Sequence, residues 1–398
     1  MTDPPTRAFA LTAAQERLQA EVRALAREVL VPLAGAGRPG RVNRPLVHAL
    51  GEHGLLARVI PSTTSAPGGE LWHHLPAGPL CLLREALARE STEAETALAL
   101  QGLGGHPIAV AGSEPVRRRG LPAVAAGEAV AAFALSEPDA GSDAAALELR
   151  AEADGDGFRL TGAKAWISNA PEADVYTLFA RTTPGARSRG ITAFAVPGDA
   201  PGLGGERLEL LAGHAVGRLE LDGVPVGPEQ VLGRVDQGFG LAMRTLDRFR
   251  PSVGAFAVGM AQAALDAAVD HAATRQAFGR PLREHQAVAH ALADMATATQ
   301  AARLLVYAAA ARYDADPGDP GVTQAAAIAK LYATEAAQRV VDQAVQLLGA
   351  RALQRGHLLE HLYREVRAPR IYEGTSEIQR TVIARELFRE REGPDALP

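Results

Sequence analysis

The chain has 398 residues, too many for one simple core, so we expect two or three domains. A formal net charge of -5 argues against a nucleic-acid binder that neutralises phosphates, and a single cysteine excludes an intrachain disulfide and a cysteine-rich metal site. The sequence does not open with a basic segment and an apolar run, and no apolar stretch approaches the roughly 20 residues that span a bilayer. We therefore expect a soluble, cytoplasmic protein that binds neither nucleic acid nor membrane.

The first part of the chain has the periodicity of helices. Apolar residues recur at helical spacing in three stretches, 12–30, 44–56 and 79–100. Thr12 and Gln15 have the spacing of a capping box at the start of the first stretch. His73 and His74 are adjacent, so their side chains diverge, which favours a loop or partner-facing role over metal binding. Residues 1–129 are predicted to form an N-terminal helical domain.

The pattern changes to alternation between Val130 and about Gly233, which indicates strands. Asp154-Gly155-Asp156-Gly157 is typical of a hairpin turn. Further strands are predicted at 175–181, 190–196, 207–211 and 218–221. Short strands with no helix between them predict a middle antiparallel β-domain over residues 130–235.

Helical periodicity returns from Leu241 onward. Long Ala-rich helices are predicted at 240–276, 283–315 and 323–348. Pro281 separates the first two, and Gly349 can cap the third. Such helices favour a C-terminal four-helix bundle domain over residues 236–398. The predicted fold class is α+β, mostly α.

The segment 370–380 contains a candidate general base. Gly374 permits a sharp turn, and Thr375 can act as the N-cap of a helix that runs from Ser376 to about Arg389. Glu373 would then stand on a backbone fixed from both sides, as a positioned base requires. On these residues alone, an ordinary surface carboxylate at a helix start is the better interpretation.

Two segments of the β-region contain polar and aromatic groups suited to a ligand. Segment 133–143 offers the hydroxyls of Ser136 and Ser142 where the helical start joins the β-domain. Trp166 stands close to Ser168 on a predicted strand, where the indole is either a core residue or a flat wall for an aromatic cofactor. A Pro/Gly loop with no ligand would have the same composition as the first segment.

The connection between the first two long helices contains a candidate phosphate site. Arg275 lies near a helix end and can pair with a phosphate, and Gln286 can donate to one near a helix start. An exposed connection between helices would have the same composition.

The order and separation of these segments resemble one family, the acyl-CoA dehydrogenases, which are FAD-dependent flavoproteins. The resemblance extends over nearly the whole chain and rests on five segments: 135–143, 166–168, 275–279, 285–286 and 371–380. The last is the most specific. The helical, β, helical order that periodicity predicts agrees with the architecture of the family.

The resemblance implies a role for each matching residue. The flavin would be lined from the β-domain by Phe133, Leu135, Ser136, Trp166, Ile167 and Ser168, and Ser142 would lie near both the flavin and the CoA arm. The FAD of a neighbouring subunit would be reached by Arg275, Phe278, Gln286, Gln346 and Gly349. Thr375 and Glu377 would contact FAD at the start of the last helix, and the acyl-CoA would be faced by Asp247, Arg250, Tyr372 and Gly374. The sharing of FAD between subunits implies a homo-oligomer, a dimer or a homotetramer.

The resemblance also implies the reaction, one of fatty acid metabolism. Glu373 would remove the α-proton of an acyl-CoA thioester, giving the trans-2-enoyl-CoA, while electrons pass through FAD to an electron-transfer flavoprotein. Burial would raise the pKa of the Glu373 carboxyl towards the working pH. Some relatives place their base at the position that matches Phe249, which cannot accept a proton, so Glu373 is the sole candidate. No metal is implied.

Three other functions are compatible with the same fold. An acyl-CoA oxidase or flavin monooxygenase would pass its electrons to oxygen, which depends on pocket packing that the sequence does not specify. A DNA-associated flavoprotein would need a basic C-terminal extension. A non-catalytic scaffold would have no use for Glu373. One departure from the family is the segment Gly349-Ala350-Arg351-Ala352, which stands where a Gly-Gly-x-Gly turn is usual.

Overall fold

The structure, a computed structural model, describes residues 11–60 and 75–392. His73 and His74 lie outside these residues. The described chain divides into two units. We call the first the bundle unit, which contains residues 11–27, 76–95 and 247–392. The second, the sheet unit, contains residues 28–60, 75 and 96–246.

Helices make up most of the described chain. They are α1 (Ala13–Leu25), α2 (Val31–Gly35), α3 (Arg44–Glu52), α4 (Gly78–Ala88), α5 (Thr92–Ala111), α6 (Glu114–Ala125), α7 (Gly238–Thr274), α8 (Gln286–Ala315), α9 (Val322–Leu348), α10 (Leu358–Glu365) and α11 (Ser376–Glu392). The capping box predicted at Thr12 and Gln15 is present at the start of α1. Gly349 caps α9 with a φ of 67°, as predicted.

The strands lie mainly in the middle of the chain. They are β1 (Ala131–Ala134), β2 (Arg150–Asp154), β3 (Gly157–Ser168), β4 (Val175–Arg181), β5 (Ile191–Pro197), β6 (Leu203–Arg207), β7 (Val216–Val226), β8 (Val231–Leu232), β9 (Gln276–Ala277) and β10 (Arg280–Pro281). The main sheet has the order β6-β7-β3-β2-β4-β5-β8. Its pairs are mostly antiparallel, but β1 runs parallel to β4, and β2 meets β4 in parallel at one residue pair. The predicted hairpin turn is confirmed, since Asp154 pairs with Gly157.

The core of the bundle unit lies between long, Ala-rich helices. Buried apolar side chains of α4, α7, α8 and α9 form one cluster, and α11 packs on α9. A Cβ atom on Gly254 of α7 would lie 2.6 Å from Cγ2 of Val306 on α8, which shows how closely these two helices approach. The predicted mostly helical fold, with helical N- and C-terminal domains and a sheet-containing middle domain, is confirmed.

Several predicted elements have other bounds in the structure. The strand predicted at 218–221 is the longer β7, Val216–Val226. The stretch 79–100 is not one helix but two, α4 and α5, because Ser91 begins a new helix by accepting a hydrogen bond from the backbone N–H of Ala94 (3.1 Å). The strand predicted at 207–211 is β6, which instead ends at Arg207. Most of β6 is exposed, so it lacks the alternation of a half-buried strand.

Among the described residues, one helix, α7, is long and apolar enough to cross a membrane by length and composition alone. Within its most apolar window, 78% of the residues are buried inside the protein. A helix at the core of a folded protein has the same composition.

Candidate active site

The turn that carries Glu373 has a backbone conformation that side chains rarely adopt. Glu373 has a φ of 53° and Gly374 a φ of 93°. A Cβ atom at position 374 would lie 2.5 Å from Nε2 of Gln379, so glycine suits both the conformation and the space. Thr375 then caps α11 by accepting a hydrogen bond from the N–H of Ile378 (3.2 Å), as predicted.

Three side chains hold the two carbonyl groups of this turn. Arg250 of α7 donates to the Glu373 carbonyl (3.3 Å), and Gln379 of α11 donates to the carbonyls of Glu373 (3.1 Å) and Gly374 (3.0 Å). Lys330 of α9 is fully buried and donates from Nζ to the Gly374 carbonyl (2.6 Å). The backbone of the turn at Glu373 and Gly374 is therefore positioned by three different helices.

The carboxyl group of Glu373 differs in this respect from its backbone. Its Oε2 atom is buried and has no hydrogen-bond partner among the residues that the structure describes. Burial raises the pKa of this carboxyl, while the charges of Arg84, Lys330 and Arg250 act to lower that pKa. A buried carboxylate with a free oxygen and several cations around it is suited to accept a proton.

The other predicted substrate residues in the bundle unit surround this turn. Asp247 accepts hydrogen bonds from Nη1 of Arg250 (3.0 Å) and from Thr323 (2.7 Å), and burial raises the pKa of the Asp247 carboxyl. Tyr372, next to Glu373 in the chain, is 37% exposed. Phe249 is fully buried, so the alternative position for a base is filled by an apolar core residue.

In the sheet unit, Trp166 is presented at a bulge. Its φ is 62°, the register of β3 against β7 shifts between Lys164 and Ile167, and its side chain is 54% exposed. Ser168, two residues further along β3, is half-buried, whereas Ile167 points into the core. The bulge changes the direction of the Trp166 side chain relative to a regular strand, so that the indole ring points outwards.

The segment that follows β1 is pinned beside this bulge. The N–H of Ala165 donates to the Ser136 carbonyl (3.1 Å), and Lys164 donates from Nζ to the Leu135 carbonyl (2.9 Å) and to Glu137 (2.9 Å). Leu135 is buried, while Ser136 and Phe133 of β1 are half-buried. The hydroxyl of Ser136 thus lies on a backbone that is held close to Trp166.

The remaining predicted residues are at the surface. Residues exposed in the described structure are Ser142, Arg275, Phe278, Gln286, Gln346, Gly349 and Glu377, and Thr375 is half-buried. Phe278 is 96% exposed at a φ of 52°, and its ring centroid lies 6.0 Å from that of His285. An aromatic side chain held so far out of the core is more consistent with a contact to another molecule than with packing in its own chain.

Each unit has features that suit a ligand group, a planar aromatic ring in the sheet unit and a phosphate in the bundle unit. The exposed indole at the bulge, with the Ser136 and Ser168 hydroxyls on pinned backbone near it, fits the edge and face of an isoalloxazine ring. Gln286 begins the 30-residue helix α8 with an exposed side chain, and Arg275, just after the end of α7, is exposed too; both side chains suit a phosphate.

Three residues around Glu373 escaped the sequence analysis: Arg84, Lys330 and Gln379. A signal for Lys330 was available, because it is the one charged residue between the buried alanines Ala326 and Ala333 of α9. A lysine on an apolar helix face must find a partner, but the sequence does not show that the partner is the carbonyl of Gly374.

Comparison with known families is decisive for the identity of this fold. The chain matches three family models: "Acyl-CoA dehydrogenase, N-terminal domain" over residues 12–128, "middle domain" over 132–224 and "C-terminal domain" over 236–388. The chain belongs to the acyl-CoA dehydrogenase family. The enzyme is an FAD-dependent oxidoreductase.

Individual relatives support this assignment. The chain is 37% identical over 385 residues to the probable acyl-CoA dehydrogenase FadE25 of Mycobacterium tuberculosis, covering 96% of this chain and 97% of the relative. A glutaryl-coenzyme A dehydrogenase complex with glutaryl-CoA is 33% identical, with a TM-score of 0.85 and 96% of each chain covered. Butyryl-CoA dehydrogenase of Megasphaera elsdenii is 31% identical, with a TM-score of 0.87 and coverage of 96% and 100%.

Proposed function

We propose that the enzyme converts an acyl-CoA thioester to the trans-2-enoyl-CoA, with Glu373 as the base that removes the α-proton. The observation that carries this proposal is the combination found at Glu373. Its carbonyl accepts hydrogen bonds from Arg250 and Gln379, and Lys330 donates to the carbonyl of the next residue, Gly374, whereas Oε2 of Glu373 is buried and free of hydrogen bonds among the described residues. A base needs a fixed position and an unoccupied oxygen, and this carboxyl has both.

The protonation chemistry follows from the surroundings of the turn. The α-hydrogen of a thioester is weakly acidic, so a base with a raised pKa takes it more readily than an exposed glutamate does. Burial raises the pKa of the Glu373 carboxyl, and the charges of Arg84, Lys330 and Arg250 oppose that rise by favouring the ionised form. The backbone N–H of Glu373 is the donor that would stabilise the negative charge on the thioester oxygen.

FAD, when bound, supplies the two-electron oxidation that a carboxylate cannot perform. We assign its ring to Phe133, Leu135, Ser136, Trp166, Ile167 and Ser168, with Ser142, Thr375 and Glu377 as further contacts. The side chains of Leu135 and Ile167 are buried, so contact with the ring is expected mainly from their backbone. The acyl-CoA is assigned to Ser142, Asp247, Arg250, Tyr372 and Gly374.

A homo-oligomer is part of the proposal. Residues that would reach the FAD of the neighbouring subunit are Arg275, Phe278, Gln286, Gln346 and Gly349, and all are exposed. The near-complete exposure of Phe278 is explained if its ring packs on a second copy of the chain. An electron-transfer flavoprotein is the proposed electron acceptor, and the cytoplasm the proposed location.

The test is anaerobic reduction of the bound flavin by a panel of straight, branched and cyclic acyl-CoAs. Glu373→Gln is expected to retain FAD and to lose flavin reduction by several orders of magnitude, because the amide cannot take the α-proton. Glu360→Gln is the matched control, since Glu360 pairs with Arg364 on α10. Near-normal reduction by Glu373→Gln would remove the assignment.

The acceptor is tested on the reduced enzyme. Fast reoxidation by an electron-transfer flavoprotein and slow reoxidation in air are expected of a dehydrogenase. The opposite order of rates would identify an oxidase.

A further inference from the structure

Arg84, one of the cations around Glu373, belongs to a buried ion pair in the bundle unit. Arg84 of α4 is 3% exposed, and Glu95 in the first turn of α5 is fully buried. Nε of Arg84 donates to Oε1 of Glu95. The desolvation of two buried charges generally cancels most of their attraction, so stability alone does not account for such a pair.

Arg84 is fixed to the same turn of α7 that holds the base. Its Nη1 donates to the hydroxyl of Ser252 (2.7 Å), which in turn donates to the Phe249 carbonyl (2.7 Å). Arg250, the next residue after Phe249, donates to the carbonyl of Glu373. The guanidinium of Arg84 also lies 5.9 Å from the ring centroid of Phe256, one turn further along α7. These contacts leave Arg84 little freedom to move.

Charged groups face Glu373 from three helices: Arg84 of α4, Arg250 of α7 and Lys330 of α9. Arg250 and Lys330 also hold carbonyl groups of the turn, so replacing either one changes both the geometry and the field. Nε and Nη1 of Arg84 donate hydrogen bonds to Glu95 and Ser252. The charge of Arg84 acts on Glu373 through space. Tyr372, beside Glu373 in the chain, also experiences the charges of Arg84 and Glu95.

We propose that Arg84 is an electrostatic positioning residue of the dehydrogenation. Its buried charge stabilises the ionised form of Glu373 without occupying the oxygen that takes the proton, and Glu95 and Ser252 hold that charge in place. This inference rests on the proposed role of Glu373 as the base. A direct ion pair would occupy the carboxylate oxygen that takes the proton, whereas burial without a nearby cation would favour the protonated carboxyl group.

The test is the titration of Glu373 in the purified, FAD-loaded enzyme. The infrared band of the protonated carboxyl group is identified by its loss in Glu373→Gln and is followed against pH without substrate. Arg84→Met is expected to raise the pKa of Glu373 by about one unit, because an opposite charge is lost. Glu95→Gln is expected to lower that pKa, because the charge of Arg84 is then less neutralised. Arg84→Lys should stay near the wild type.

If Arg84→Met and Glu95→Gln shift the pKa of Glu373 in opposite directions, the cause is the electrostatic effect of the ion pair. A loss of packing would not produce shifts of opposite sign. Because Arg84→Met removes an ion-pair partner of the buried Glu95, the double variant Arg84→Met/Glu95→Gln provides a second protein without either buried charge. It is expected to shift the pKa upwards, by less than Arg84→Met. An unchanged titration in Arg84→Met and in the double variant would overturn the inference.

The rising limb of the pH profile of flavin reduction is expected to move in the same directions as the infrared titration. The infrared titration needs no acyl-CoA, so it decides the role of Arg84 even if no acyl-CoA reduces the flavin. A failure of every acyl-CoA to reduce the flavin would count against the proposed function and not against the role of Arg84.

Discussion

Lys330 permits a prediction in which stability and activity respond differently. The Lys330→Met substitution removes a fully buried ammonium group that donates to the Gly374 carbonyl. Burial is the main cause that lowers the pKa of Lys330, from its ordinary value of 10.5 to about 8. At about 1.4 kcal/mol per pKa unit, this amounts to about 3 kcal/mol against the charged form in the folded state.

The lost hydrogen bond has a similar magnitude. A hydrogen bond from a charged donor contributes about 1.5–3 kcal/mol, and the Gly374 carbonyl keeps a second donor in Gln379. The two effects nearly cancel, so we expect the free energy of unfolding of Lys330→Met at neutral pH to lie within about 1 kcal/mol of the wild type. The Glu373 turn nevertheless loses one of the three side chains that donate hydrogen bonds to it. The rate of flavin reduction is therefore expected to fall by about 10- to 100-fold.

The difference in the free energy of unfolding between the wild type and Lys330→Met is expected to depend on pH. The folded pKa of Lys330 is lower than the unfolded one, so the charged lysine destabilises the fold fully below about pH 8, and this cost declines as the pH rises towards 10.5. The wild type should therefore gain about 1 kcal/mol relative to Lys330→Met between about pH 7 and about pH 9. Lys164, whose pKa is also lowered to about 8, is present in both proteins and cancels in the difference.

The assay is urea unfolding at several pH values, with protein and FAD concentrations held constant, beside the rate of flavin reduction. Thr334→Val is the matched control, one turn further along α9, where the hydroxyl bonds only within its own helix, to the carbonyls of Lys330 and Leu331. Parallel pH profiles for wild type and Lys330→Met would refute the reasoning. So would full activity in the variant.

Two further predictions concern the turn and the surface. Gly374→Ala is expected to cost about 1–3 kcal/mol and to slow flavin reduction with FAD retained, because alanine is strained at a φ of 93° and displaces Gln379. Thermal unfolding and flavin absorbance measure both effects, and unchanged values would contradict the account of the turn. Phe278→Ser should alter the stability of the folded subunit by less than about 0.5 kcal/mol, yet weaken assembly and FAD retention. Sedimentation measures assembly, and the flavin content measures FAD retention. Val269→Ser, on the exposed surface of α7, is the control. Identical results for both variants would argue against a contact at Phe278.

The sequence predicted those elements that local chemistry specifies. Thr12 with Gln15, Thr375 and Gly349 are caps whose bonds join residues only a few positions apart, and all three occur where predicted. The division of α4 from α5 was missed because the cap at Ser91 interrupts an otherwise continuous apolar pattern. The position of β6 was missed because an exposed strand has no alternating pattern to detect.

The candidate site was predicted in part for the same reason. Glu373, Gly374 and Thr375 are consecutive, so their turn and cap can be derived from their residue types. The outward position of Trp166 depends on a register shift in β3, and no local pattern near Trp166 indicates that the strand bulges there. Sequence reasoning therefore found the indole but left open whether it was a core residue or a wall.

What the sequence by itself determined is the order of helical and β regions, the caps that bound several helices and the turn that presents Glu373. Only the tertiary structure decided what surrounds that carboxyl. Arg250 and Lys330 reach the turn from positions 123 and 44 residues away from the carbonyls they hold, and Arg84 and Glu95 pair only because α4 and α5 bury both. Caps and periodicity are properties of neighbours in the chain, whereas the pKa of a carboxyl depends on burial and on charges that packing brings near it.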